Sequence, residues 1–296
     1  MTSRVSNIRF IVNPAAGNRQ RDIDSVIRDA LRGSGVAFEI AHTTYPGHAT
    51  ELARAAAGEG VECVAAVGGD GTINEVGSGL VGTETALGIV PVGSGNALAR
   101  GLGVPIQPHR ALSVLIGAWT QWIDAGRIGE RVFFSTAGVG LDAEVSWRYN
   151  RRHGGRRGFL PYAIFTLGAF CSYRPEAVQL TLADGTGLQA RPIILTVANT
   201  SQFGNGATIA PAARPDDGLL DLCIIENAGL PKMLWHARRL FTGAIDRMPG
   251  VRFYQTTAVH IERPRPGRLQ LDGEALESDA TLNVEIVPHA LRIALP

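Results

Sequence analysis

Along the first 125 positions the apolar residues switch repeatedly between two spacings. A short run, Ile8-Arg9-Phe10-Ile11-Val12, stops at Asn13-Pro14-Ala15-Ala16-Gly17. Ile23, Val26, Ile27 and Leu31 then recur at the intervals of one helix face, and Gly33 closes that helix. The same alternation predicts strands over 38–41, 61–67 and 87–90, and helices over 50–57, 73–80, 96–102 and 110–119. Strands alternating with helices predict a parallel sheet covered on both faces, an α/β arrangement of Rossmann-like type.

Near Gln121 the pattern changes. Strands are predicted over 121–128, 131–137, 178–183, 191–198, 219–225, 259–262, 269–271 and 282–286, separated by turns of Gly, Pro and Asp. Helical stretches over 158–172 and 232–242 interrupt them. The expected second region is all-β, an antiparallel sandwich or barrel. The chain therefore divides into a domain over 1–125 and one over 126–287. Its 296 residues suffice for two cores.

Composition narrows the chemistry. A net charge of +1 gives no global field for nucleic acid, so no such partner is expected. Lys232 is the only lysine, which excludes a Walker-type loop and the strand lysine of protein kinases. Cys63, Cys171 and Cys223 fall into no metal-binding spacing and read as buried thiols of a reducing compartment. The longest apolar run, 159–171, is shorter than the ~20 residues of a membrane span. Without a visible leader pattern, a cytoplasmic protein is expected.

Three glycine-containing turns each follow a predicted strand: Asn13 to Gly17, Gly68-Gly69-Asp70-Gly71-Thr72, and Gly93-Ser94-Gly95-Asn96. In an open parallel sheet such loops share one edge, where ligands bind. Glycines allow close backbone approach to an anion, and the helix that follows offers N–H groups and a positive dipole end. Asp70 would repel phosphates unless a divalent cation intervenes or it orients the attacking group. The alternative is that Asp70 merely caps the following helix. Asp216-Asp217-Gly218 reads either as a plain turn or as an oxygen site for a hard cation. Asp272-Gly273 before Glu274 is a hairpin turn pair.

Together these residues resemble the diacylglycerol kinase family, which also includes sphingosine and ceramide kinases and bacterial lipid kinases. Val67 to Val76 resembles the family's GGDGT signature, and Asn13 to Gly17 its NPxxG loop. Pro91-Val92-Gly93-Ser94-Gly95-Asn96 resembles PxGTxN, with Ser94 in place of threonine. Ser135 to Ala143 resembles xxAGxGxDA, Ala210 to Asp221 resembles APxAxxxDGxLD, and Leu271 to Glu274 carries DGE. NAD kinases share GGDG alone; their later Gly/Ser/Thr-rich motif is missing here. A silent nucleotide- or lipid-binding module is a further reading, which Asp70 and Glu274 argue against. A dinucleotide oxidoreductase would need G-x-G-x-x-G after the first strand.

The resemblance implies a Rossmann-like nucleotide domain followed by a β-sandwich, with a last strand over 288–296 returning to the first domain. It implies an ATP- and Mg²⁺-dependent kinase acting on a hydroxyl of a membrane lipid such as diacylglycerol. Nucleotide would be held by Asn13, Pro14, Ala15, Ala16, Gly17, Gly68, Gly69, Asp70, Gly71, Thr72, Ile73, Asn74 and Ser94, with Thr43 as a further contact and Thr44 its rival. Asp217 with the carbonyls of Arg214 and Leu219 resembles a structural magnesium site. Glu274 resembles the general base, and Asp70 is the second residue expected to be catalytic.

Arg148, Arg151, Arg152, Arg156 and Arg157 precede the apolar stretch 159–165. Basic residues beside aromatics suit peripheral contact with an anionic membrane surface. A solvated loop is the alternative. A homodimer is compatible with the sequence.

Overall fold

The computed structural model describes every residue except 1–4, 17–21, 151–165, 167, 171, 228, 230–234, 236 and 237, with the side chain of Asn150 also left aside. The chain forms two compact units, one of residues 1–123 with 289–296 and one of residues 124–288.

The first unit alternates β1 (Asn7–Val12), α1 (Ile23–Leu31), β2 (Ala37–His42), α2 (His48–Gly58), β3 (Cys63–Gly68), α3 (Asp70–Leu80) and β4 (Ala86–Pro91), then α4 (Ala97–Gly101) and α5 (Pro108–Gly117). The strands pair in the order β2-β1-β3-β4, all parallel. Every residue of β3 and β4 is buried, as a parallel sheet covered on both faces requires. On one face Ile27 and Leu31 of α1 and Leu112 and Leu115 of α5 pack against Ile8, Phe10, Cys63 and Ala65. Elsewhere α2 approaches α3 closely because Gly79 has no side chain; a Cβ there would lie 2.6 Å from the Thr50 carbonyl oxygen.

From β5 (Trp119–Ile128) the chain enters the second unit. There follow β6 (Arg131–Phe133), β7 (Thr136–Gly140), α6 (Leu141–Asn150), β8 (Val178–Leu182), β9 (Gly187–Ala190), β10 (Pro192–Ala198), β11 (Gln202–Gly204), β12 (Ala207–Thr208), β13 (Leu220–Glu226), β14 (Val251–Thr256), β15 (Ala258–Glu262), β16 (Gly267–Leu271), β17 (Glu274–Ser278) and β18 (Thr281–Leu295). One antiparallel layer runs β14-β13-β10-β7-β16-β17; the other pairs β18 with β15, β15 with β8, and β8 with β9. Leu195, Val197, Leu222 and Leu269 of the first layer meet Leu180, Val259, Ile261 and Val284 of the second. Along β13, Leu220, Leu222 and Ile224 face this core while Cys223 and Ile225 face a second cluster with Leu141 and Val145 of α6. This is a mixed α/β domain with a parallel sheet followed by an antiparallel β-sandwich.

Several elements depart from the sequence reading. Trp119, expected at the end of a helix, opens β5; its indole N–H donates to the carbonyl of Pro296. The run 131–137 is two strands, β6 and β7, broken where Phe134, Ser135 and Thr136 donate their N–H groups to a side chain. Helix α6 and strands β9, β11, β12, β14 and β17 lie outside the elements the sequence predicts. Polar β17 (Glu-Ala-Leu-Glu-Ser) has no apolar run to announce it, and exists by pairing with β16. Of the stretch expected to be helical over 158–172, Thr166, 168–170 and Ser172 are described, and are helical; of 232–242, Trp235 and 238–242 are.

Candidate active site

In the first unit the register aligns four strand ends: Val12 pairs with His42 and Val67, and Gly68 with Pro91. The loops after β1, β2, β3 and β4 therefore share one sheet edge. The β2-β1-β3 order reverses the direction of winding between β1 and β3, the place where open α/β sheets bind ligands.

Two loops are bonded across that point. Asn13 Nδ2 donates to Thr72 Oγ1 at 2.9 Å, while its Oδ1 accepts the Ala15 N–H at 2.9 Å. The Asn13 N–H itself donates to the Val67 carbonyl. Thr72 is buried and lies against Gly68, where any Cβ would collide with it. A third loop meets the second backbone to backbone: a Cβ on Gly93 would sit 2.5 Å from the Gly69 Cα.

Asp70 fastens the same pair of loops. Its Oδ2 accepts the Asn96 N–H at 2.9 Å and its Oδ1 the Ala97 N–H at 2.6 Å. Asn96 adopts the left-handed conformation, φ 52° and ψ 49°, which turns these two N–H groups toward the carboxylate. Asp70 is thus the cap of α4, not of its own helix α3. The N-cap of α3 is Gly69, which has no side chain to cap it, and its first turn carries the exposed Gly71. An uncapped helix start beside glycine is suited to an anion. Ser94 is exposed at this edge, and Asn74 and Ile73 follow within α3. Pro14, Ala15 and Ala16 form the turn after β1; Gly17 lies outside the described residues. Thr43 donates its N–H to the Val12 carbonyl at 2.9 Å. Thr44 instead engages His48 through its hydroxyl, 3.1 Å from Nδ1, and Tyr45 stacks on that imidazole at 4.5 Å.

In the second unit, Asp272 and Gly273 both have positive φ, 47° and 85°, the geometry of a tight hairpin turn. Leu271 pairs with Glu274 across it, leaving the Glu274 side chain exposed. Asp272 is buried and anchors the turn: it accepts the N–H groups of Phe134, Ser135 and Thr136 at 2.8–3.0 Å. Gln270 accepts the Gly273 N–H at 2.8 Å. Sequence reasoning read Asp272 only as a turn residue, because its partners lie more than 130 positions earlier.

The Asp217 turn has its own anchor. Asp124, buried at 2% exposure, accepts the Gly218 N–H at 2.8 Å and donates its own N–H to the Pro215 carbonyl at 2.6 Å. Asn199 donates to the carbonyls of Asp124 and Phe134 at 2.9 and 3.0 Å. Neither residue was singled out from sequence, although an Asp within apolar Trp122-Ile123-Asp124-Ala125 was the available signal. Asp217 is exposed and its Oδ1 accepts the Leu219 N–H at 3.1 Å; Arg214 lies 3.7 Å from Asp216. Among the described residues no three His, Cys, Asp or Glu side chains gather as metal ligands. A cation here would rest on one carboxylate and the carbonyls of Arg214 and Leu219, an all-oxygen set that fits Mg²⁺.

Burial pushes the thiols of Cys63 and Cys223 up to about 12, which makes them inert packing groups. Cys171, His153, His236, Lys232, Arg151, Arg152, Arg156, Arg157 and the stretch 159–165 lie outside the described residues. Among the described residues no helix is long and apolar enough to cross a membrane.

Comparison with known proteins follows this division. Residues 7–128 match the diacylglycerol kinase catalytic domain, and residues 135–295 the YegS C-terminal NAD kinase beta sandwich-like domain. A Mycobacterium tuberculosis protein named diacylglycerol kinase is 32% identical over 254 residues, covering 84% of this chain and 81% of that one. A Chromohalobacter salexigens protein named "Probable lipid kinase YegS-like" is 30% identical over 282 residues, covering 91% and 88%. A crystal structure of a diacylglycerol kinase from Bacillus anthracis superposes with a TM-score of 0.74 at 19% identity, covering 99% of this chain and 98% of that one, and so shares the fold.

Proposed function

This chain belongs to the diacylglycerol kinase catalytic-domain family of lipid kinases, and we propose that it transfers the γ-phosphate of ATP to a hydroxyl of a membrane lipid such as diacylglycerol. The observation that carries this reading is the fastening of three strand-end loops around the glycine-capped start of α3, in a sequence whose single lysine is Lys232. The nucleotide phosphates bind the backbone N–H groups of that edge. Asn13 to Gly17, Gly68 to Asn74 and Ser94 line them, and Thr43 makes a further contact, since Thr44 is engaged by His48. Asp70 holds the glycine loops in register through Asn96 and Ala97, so its contribution to transfer includes positioning.

Mg²⁺ bound with the nucleotide would supply charge neutralisation at the phosphates, held by Asp70 directly or through water, and Asp217 with the carbonyls of Arg214 and Leu219 is the set that would hold a separate, structural ion. Glu274 acts as general base on the acceptor hydroxyl. A carboxylate is too weak to deprotonate a free alcohol beforehand, so the proton moves to Glu274 as the P–O bond forms and the bond from γ-phosphorus to ADP breaks. Such help is worth ~10²–10⁴-fold in rate. The protein works peripherally at the membrane, on the cytoplasmic side.

Labelled ATP offered with a panel of lipids in mixed micelles, and with NAD as a control acceptor, tests this. A phosphorylated lipid is expected. Label on NAD alone, or on nothing, overturns the reading. Glu274→Gln should lower turnover by at least a hundredfold with ATP affinity nearly unchanged; an undiminished rate removes Glu274 from the mechanism.

A further inference from the structure

Trp235 is 67% exposed and Phe241 50%, and each has helical backbone in the second unit. Arg238 lies over the Trp235 ring, 5.1 Å from its centroid. At 3.6 residues per turn, Phe241, Arg238, Thr242 and Arg239 occupy one arc of the helical residues 238–242 and Leu240 the opposite side, and the contact with Arg238 brings Trp235 to the same arc. The packing agrees: Leu240 sits against the cluster of Ile245 and Met248, which anchors the segment to the sandwich. Arg239 donates to the Arg247 carbonyl, tying the helix to the turn that follows. Between Glu226 and Asp246 the sequence has Lys232, Arg238 and Arg239 and not one carboxylate.

We infer that this outward face, with Trp235, Phe241, Arg238 and Arg239, is the seat of the protein on an anionic phospholipid surface. The chemistry is that of an interfacial helix: indole and phenyl rings rest among headgroups and upper acyl carbons while guanidinium groups meet phosphates. A partner with only apolar surface would leave the arginines unmatched, and a simple polyanion would leave the aromatics in water. The biological sense of this face rests on the lipid-kinase reading, but the binding itself does not.

The test uses the full chain with large vesicles of phosphatidylcholine alone or mixed with phosphatidylglycerol, read by co-sedimentation. Binding should require the anionic lipid. Arg238→Glu should weaken it more than fivefold, since one near-surface arginine contributes about that factor, and Trp235→Ala with Phe241→Ala by about tenfold or more. Thermal stability should stay as in the parent protein, and phosphorylation of a short-chain, water-soluble acceptor should be unaffected. Loss of vesicle binding in these variants upholds the seat even if no lipid is ever phosphorylated. Variants that sediment with anionic vesicles like the parent overturn it. Unchanged vesicle binding with an altered sedimentation velocity would overturn it too, assigning the face to a second copy of the chain.

Discussion

Asp142 is an acid with nowhere to put a charge. It stands in the first turn of α6, 4% exposed, its carboxyl pressed against the Cα of Gly138. Burial pushes its pKa from an ordinary 3.8 to about 7, against the pull of the Ala143 N–H, its own N–H and the Gln270 amide. Tyr173 and Cys223 are the titratable groups that feel its charge, and both are themselves held neutral. Between pH 3.8 and about 7 the native state keeps a proton that the unfolded chain has released. Stability therefore falls as pH rises through that window and stays lower above it. At about 1.4 kcal/mol per unit, the full penalty is ~4 kcal/mol as an upper bound. Asp142→Asn removes the charge and keeps the shape. It should raise the melting temperature by several degrees at about pH 8 and leave it nearly unchanged at about pH 4. An equal effect at both pH values would show that Asp142 does not titrate in this range. A sequence shows such an acid as one letter in an Asp-Ala pair; burial and facing groups decide the rest. Asp70 carries the same lesson. That it is an acid among glycines was legible, but that it caps α4 was not, because Asn96 and Ala97 arrive from another loop.

The glycine loops are legible at the scale of elements, since each breaks a regular apolar period where a strand ends. What sequence does not show is that the second and third pack backbone against backbone. Gly93 is required because the Gly69 backbone fills the space its Cβ would occupy, 2.5 Å from the Gly69 Cα. Gly93→Ala should push the third loop from the second and loosen the edge that holds phosphate, at a cost of about 1–3 kcal/mol. ATP affinity by calorimetry should drop at least tenfold while far-UV circular dichroism stays the same. Gly58→Ala is the matched control: its Cβ meets nothing within 4 Å, and α2 should gain up to ~1 kcal/mol. If both variants bind ATP equally, the contact of the two loops has no bearing on nucleotide. Elements that escaped the sequence reading share a physical trait. Polar β17 owes its existence to a partner strand, and α6 buries Ser146 and Asp142 beside Val145, which blurs its periodicity. Local pattern reports a segment's own preference, and these segments take their form from neighbours.

Across the whole molecule, the change from alternating elements to successive strands near Gln121 is what made an α/β domain followed by a β-sandwich legible. Chain order alone does not say that the first unit is closed by the far end of the chain. Residues 289–296 belong to it, with Ile293 of β18 pairing with Leu87 of β4. Gly82 donates its N–H to the Ala290 carbonyl at 2.9 Å, and Arg292 donates to Thr120 Oγ1 at 3.0 Å. Leu291, Ile293 and Leu295 are buried, with Ala290 and Ala294. Each of the three large side chains contributes about 1.5–3 kcal/mol, so their sum is comparable to the ~5–15 kcal/mol that holds a domain folded. Removing the segment also exposes the edge of β4 as an unpaired strand. A chain ending at residue 288 should therefore keep a folded sandwich and lose its first unit. Limited proteolysis should cleave it within 1–123 and spare 124–288, and ATP binding should be lost. Thermal unfolding like that of the full chain would mean that β1 to β4 hold together without the returning strand, and that the burial of Leu291 and Ile293 adds little.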